Sequence, residues 1–181
     1  FKKSPDTYYY GIVHNVLNVS NKIVVSNIKI FHLGYDLDKE KLLKKFERSI
    51  TLLLEQVKEQ PDNPFVQMNT AQMFLSRNFI DKAEPYAKNC IKLLENDPGD
   101  NEHLLLMGLF QLAVINLNKD DYVKCEEYCL KALERKENYI DPRLILGLNY
   151  YYTHEYGKAK EHLEKYLEYR QDHLNKGEFN L

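Results

Sequence analysis

Apolar residues recur along most of the chain at spacings of three and four, the mark of a helix burying one face. Leu42, Phe46, Ile50, Leu53, Leu54 and Val57 follow this period and predict a helix over 38–59, with Asp36 or Asp38 placed to cap it. Pro61-Asp62-Asn63-Pro64 stops that helix and starts the next. Further helices are predicted at 64–77, 80–95, 100–117, 120–136, 140–153 and 156–172. Asp97-Pro98-Gly99-Asp100, Asn118-Lys119-Asp120 and Asn138-Tyr139-Ile140-Asp141-Pro142 punctuate them. The first 35 residues have a different texture. Segments 8–14 and 22–32 are rich in β-branched and aromatic residues and predict strands, with 18–21 as the turn. Two strands alone are marginal in water, so this segment calls for a larger sheet to join.

Composition agrees with a mainly α, globular chain. Of 181 residues, 44% are hydrophobic and 29% charged, and Gly and Pro are few. The formal net charge of −2 gives no electrostatic reason to expect nucleic acid as a partner. No apolar run approaches the roughly 20 residues of a membrane-spanning helix. Three cysteines, an odd number in a chain of this length, fit a reducing, cytoplasmic setting better than a disulfide scaffold. Charge is distributed unevenly: residues 1–35 carry Lys2, Lys3, Lys22 and Lys29 against Asp6, leaving −5 for residues 36–181. A boundary is therefore expected near 34–36, dividing a basic extended segment, 1–35, from a helical region, 36–181. The chain starts Phe1-Lys2-Lys3, and the expectation is that it is a piece of a longer protein.

The helices repeat. Each pair carries a small residue in its first member and another early in its second, read as Ala71 with Ala83, Gly108 with Cys125, and Gly147 with Ala159. The last unit, Leu146-Gly147-x-x-Tyr150 followed by Tyr156-x-x-Ala159-x-x-x-Leu163, resembles the 34-residue tetratricopeptide (TPR) repeat. Cys125 and Ala159 are 34 residues apart, whereas Ala83 and Cys125 are 42 apart, so the middle unit needs longer helices or a longer turn. The resemblance implies a right-handed superhelix of about three TPR units over 64–170, with the helix at 38–59 as a partial repeat or cap. It also implies a protein or peptide partner on the concave face, or self-association. Asn69 and Tyr151 are the residues expected on that face. The carboxylate clamp of chaperone-binding TPR domains aligns with Phe65, Asn69, Leu106, Asp141 and Ile145, where only Asn69 is retained and Asp141 would repel a carboxylate.

The stretch ahead of the repeats carries a second resemblance. Tyr10-Gly11-Ile12-Val13-His14-Asn15, then His32-Leu33-Gly34-Tyr35-Asp36, then Lys45-x-x-Arg48-x-x-x-Leu52-Leu53 are similar to the C-terminal end of bacterial-type family-2 glycosyltransferases that carry TPR repeats. That resemblance implies a GT-A parent enzyme using a nucleotide-sugar and a divalent metal. His14 would face the acceptor and His32 would help hold the metal. The partner of the TPR region could then be the glycosylation acceptor. Where the family has Glu after the first His, this chain has Asn15, an amide that cannot act as a base. No Asp-x-Asp after a strand is present, and Asp36-Leu37-Asp38 is explained by helix capping. The chain by itself is expected to hold no cofactor and to transfer no sugar.

Remaining candidates have plainer explanations. Cys125 and Cys129 could form half a zinc site, but they fall at small-residue positions of a second TPR helix, and core packing is favoured. His103, His154, His162 and His173 share no spacing. Tyr150-Tyr151-Tyr152 is the densest aromatic cluster of the repeats, with Tyr150 at a packing position and its neighbours open to a recognition role.

Overall fold

The computed structural model describes residues 8–10, 16–18 and 38–176. Two compact units are distinguished, Phe1–Pro61 and Asp62–Leu181.

In the first unit, β1 (Tyr8–Tyr10) pairs antiparallel with β2 (Val16–Asn18), Tyr9 opposite Leu17. The first strand therefore has a partner at 16–18, next to the segment read as a turn, and a short connection of this kind costs little entropy to close. The strand expected at 22–32, the boundary at 34–36, His14 and His32 lie outside the described residues. Helix α1 (Lys39–Glu59) begins where Asp38 accepts from Lys41 N at 2.8 Å, so Asp38 is its cap. Ile50, Leu53 and Gln56 are its buried positions.

The second unit is three helical hairpins: α2 (Pro64–Leu75) with α3 (Ile80–Leu94), α4 (Glu102–Asn118) with α5 (Tyr122–Arg135), and α6 (Ile140–Tyr152) with α7 (Tyr156–Lys176). The seven-helix expectation is met to within a few residues at every end. Local chemistry explains the starts. Asn63 accepts from Phe65 N at 3.0 Å ahead of Pro64, and Asp121 accepts from Lys124 N at 3.2 Å. Each hairpin turn is built alike. Asn78, Asp120 and His154 have positive φ, and the next residue's N–H returns to the helix: Phe79 to Phe74 O, Asp121 to Asn116 O, Glu155 to Tyr150 O.

These turns fix the repeat register and correct one pairing. Ala71, Ala113 and Gly147 each stand seven residues before a positive-φ residue, and twelve before Ala83, Cys125 and Ala159. The middle partner of Cys125 is therefore Ala113, not Gly108. Both are fully buried and share a cluster with Cys129, Leu146 and Ala159. Gly108 serves a different contact. A Cβ there would lie 3.0 Å from Ile91 Cγ1 and 3.4 Å from Cys90 Sγ, so the glycine lets α4 approach α3 of the preceding hairpin. The extra length of the middle repeat lies in the connection that includes the 3-10 turn Gly99–Asn101, and in an earlier start to α4.

Cys90, Cys125 and Cys129 are free and buried. Burial pushes the Cys90 thiol up to about 12, and contact with Cys125 together with burial holds the Cys129 thiol protonated. Cys125 and Cys129 are fully buried in one core cluster with Ala113, Leu146 and Ala159, and among the described residues no cluster of potential metal ligands occurs. No described helix is long and apolar enough to cross a membrane.

Candidate protein-interaction surface

Within the second unit, α2 packs on α4 and α4 on α6, whereas α3, α5 and α7 make at most marginal contact with one another. A row of helices that touch, backed by a row that does not, curves with the touching row inside. The inner face is therefore made by α2, α4 and α6.

Accessible residues on that face follow one rule. Between Leu104 and Leu117, the residues of α4 that are not fully buried are Met107, Phe110, Val114 and Leu117, spaced three, four and three. The corrected register places Phe65, Met68, Gln72 and Leu75 at the equivalent positions of α2, where Met68 is buried, and Asp141, Leu144, Leu148 and Tyr151 at those of α6. The twelve positions form a grid of three helices by four rows. Ten are apolar or aromatic, Gln72 is a neutral amide, and Asp141 is the single charge.

The grid has a fixed floor. Gln111, fully buried, donates through Nε2 to Met68 O at 3.1 Å and to Gln72 Oε1 at 3.2 Å, tying α4 to α2. Asn69, expected on this face, is 8% exposed and donates to Phe65 O at 2.9 Å, so its amide serves its own helix. In the corrected register its equivalent in the middle repeat is Gln111, and Leu106, aligned with the clamp's second-repeat Asn, is a core residue. Tyr139, just ahead of α6, donates to Met107 Sδ at 3.5 Å and sets its ring against Phe110 with centroids 6.4 Å apart. Burial, and then the charge of Asp141, push the Tyr139 hydroxyl well above the usual phenol range.

Asp141 is half-buried. Burial raises its pKa, and Lys136 opposes that shift, yet no ion pair or hydrogen bond reaches its carboxylate among the described residues. The nearby guanidinium of Arg143 is engaged elsewhere, donating to Glu137 O at 2.8 Å and lying 5.2 Å from the Tyr169 ring centroid.

Tyr151 is 57% exposed at the far end of the same α6 stripe. Its ring meets Tyr152 and Tyr156 edge-on at 5.9 and 5.8 Å, and Tyr152 lies 6.4 Å from Tyr122. The tyrosine run thus divides by role. Tyr150 is buried with its hydroxyl donating to Glu126, while Tyr151 and Tyr152 face solvent. His162 is half-buried against Tyr150, and burial lowers its pKa.

Sequence reasoning missed Met107, Phe110, Val114 and Leu117 as a surface, because α4 is apolar all round. Aligning the repeats on Ala113 would have exposed the pattern. A second cleft, of about 470 Å³, lies between α3 and α5 over Leu105, Leu109 and Leu112. Its rim cations are largely matched, Lys88 with Glu84, Lys131 with Glu127 and Arg135 with Glu102.

No protein-family model matches the chain, and no curated protein does either. Solved structures do. The chain is similar to MamA RS-1 (17% identity, TM-score 0.60, covering 73% of this chain and 70% of that one). It is likewise similar to MamA MSR-1 (19% identity, TM-score 0.58, covering 73% and 71%). A third likeness is to the C-terminal TPR-containing domain of a putative FK506-binding protein of Plasmodium falciparum (20% identity, TM-score 0.55, covering 65% and 83%). At these identities the likeness establishes the fold: a TPR-type array of helical hairpins. Nothing in these comparisons supports the glycosyltransferase parent.

Proposed function

We propose that this chain is a TPR interaction module that takes a segment of a partner protein along the face of α2, α4 and α6. The observation that carries this reading is the grid itself. Equivalent positions of three adjacent helices, eleven of twelve uncharged and all but the buried Met68 at least partly accessible, line one face with apolar side chains, the kind of surface that marks interaction sites. A carboxylate clamp is disfavoured, since Asp141 is the only charge the grid presents. This adaptor reading is preferred to that of a glycosyltransferase scaffold, whose motifs fall mostly outside the described residues. An Asp-x-Asp site encoded ahead of Phe1 would restore the enzyme reading, together with its metal, its nucleotide-sugar, and the roles of His14 and His32. A reducing, cytoplasmic location is supported by three unpaired, buried thiols.

The test is site-specific photocrosslinking in cells. A photoreactive phenylalanine analogue at Val114, on the grid, should give discrete protein adducts. The same group at Val123, 78% exposed on the outer row, should give none above background. Equal adducts from both positions would remove the case for the inner face.

A further inference from the structure

Granting that the inner face holds a peptide, its chemistry restricts which peptide. We propose that the ligand is an apolar segment carrying a lysine or arginine, whose cation pairs with Asp141 while its apolar side chains seat on Met107, Phe110, Leu144 and Leu148. Charge complementarity carries this inference. Eleven grid positions offer a ligand only apolar contact or a neutral amide, so an anionic peptide finds no cation on the grid and meets one carboxylate that repels it.

Asp141 is the second residue of α6, where the helix N-terminus favours an acidic side chain, but α6 starts without any side-chain cap, and among the described residues no hydrogen bond or ion pair holds the half-buried carboxylate. The cation whose charge acts on Asp141 is Lys136, an exposed residue whose ammonium lies 5.8 Å from the Tyr139 ring centroid and forms no ion pair with Asp141. A half-buried carboxylate without a counter-ion is disfavoured in the free protein. A ligand cation arriving beside Tyr139 and Met107 supplies the missing partner.

The experiment pans the intact chain against a phage-displayed library of random dodecapeptides, with Asp141→Asn, Asp141→Lys and Phe110→Glu variants in parallel, each checked for native helicity and melting. Peptides enriched on the unmodified chain should combine Leu, Ile, Phe or Met with one Lys or Arg at a constant offset. Fluorescence anisotropy with the leading peptide should show about tenfold weaker binding to Asp141→Asn. Panning on Asp141→Lys should exchange the basic residue for Asp or Glu. Enrichment of uncharged or acidic peptides on the unmodified chain overturns the proposal, as does an unchanged basic selection on Asp141→Lys. Selection lost in Phe110→Glu but indifferent to position 141 defeats this inference and leaves the groove intact. Selection unaffected by Phe110→Glu, or no selection at all, defeats the groove reading itself. A dimer seen by light scattering and dissolved by Phe110→Glu would assign the face to a second copy and overturn the proposal.

Discussion

Two glycines that look alike in the sequence serve different contacts, of unequal tightness. Gly147 stands where α6 meets α7, and a Cβ would come within 2.6 Å of both Cγ and Cδ2 of Leu163. The branch point of a leucine cannot swing aside without moving its whole side chain. Gly147→Ala should therefore cost about 1–3 kcal/mol in overpacking, more than the ~1 kcal/mol that alanine gains in helix propensity. At Gly108 the added carbon would press on Ile91 Cγ1 at 3.0 Å, part of a half-buried side chain with room to adjust. Gly108→Ala should be within a few tenths of a kcal/mol of neutral, since the propensity gain offsets a mild contact. Urea denaturation of the two variants decides it, and equal losses would mean that Ile91 yields to the added carbon no more easily than Leu163. The chain also tolerates left-handed backbone without glycine at Asn78, Asp120 and His154. Asn and Asp are among the residues that adopt it most easily, and His follows them. That is why punctuation read from Asn118-Lys119-Asp120 located a turn, while the equivalent His154 carried no such signal.

At the scale of elements, legibility followed amphipathicity. Helices α1, α3 and α5 bury one stripe and expose charge on the other, so spacing located them directly, with caps marking the starts of α1 and α5. The helices α2 and α4 lack that contrast, because one side packs on partner helices and the other forms the apolar grid. Existence and ends of α4 could be read from its sequence, but its two faces could not. The misplaced pairing at Gly108 has the same origin: Ala113 sits inside the apolar run Leu112-Ala113-Val114-Ile115, and the longer middle repeat shifted attention to the more conspicuous glycine. Asp141, by contrast, was legible in the sequence as a charge that would repel a carboxylate at a clamp position. The two sides of α4 should separate in mutagenesis. Leu112 is 2% exposed and Leu112→Ala should cost about 2–5 kcal/mol, whereas Val114→Ser, on the grid, should cost under about 1 kcal/mol while weakening any bound partner. Comparable thermal losses from both would show that the grid residue is structural.

The second unit is quasi-one-dimensional, each hairpin resting on the next, so its stability divides into local terms and interfaces between neighbours. Its cysteines report those interfaces separately. Cys90 belongs to a cluster with Met68, Leu94, Leu104, Leu105 and Ala132, drawn from α2 to α5. Cys125 and Cys129 belong to one that includes Ile145, Leu146, Tyr150 and Ala159, drawn largely from the last hairpin. In the full chain all three thiols are buried, which keeps the reagent from reaching them, and they should react slowly with Ellman's reagent. Deleting residues 137–181 removes the last hairpin and uncovers one side of α5, but leaves the cluster around Cys90 almost whole. Two of the three thiols should then react markedly faster, by an order of magnitude or more, with Cys90 remaining slow; mass spectrometry of the labelled peptides identifies which. If Cys90 accelerates to the same extent, the hairpins unfold as one cooperative block, and nearest-neighbour additivity is the wrong description. If none accelerates, the last hairpin does not shield α5, and the packing deduced from the shared cluster fails. The selective outcome alone is consistent with an array whose inner face is assembled hairpin by hairpin, each adding one column to the grid.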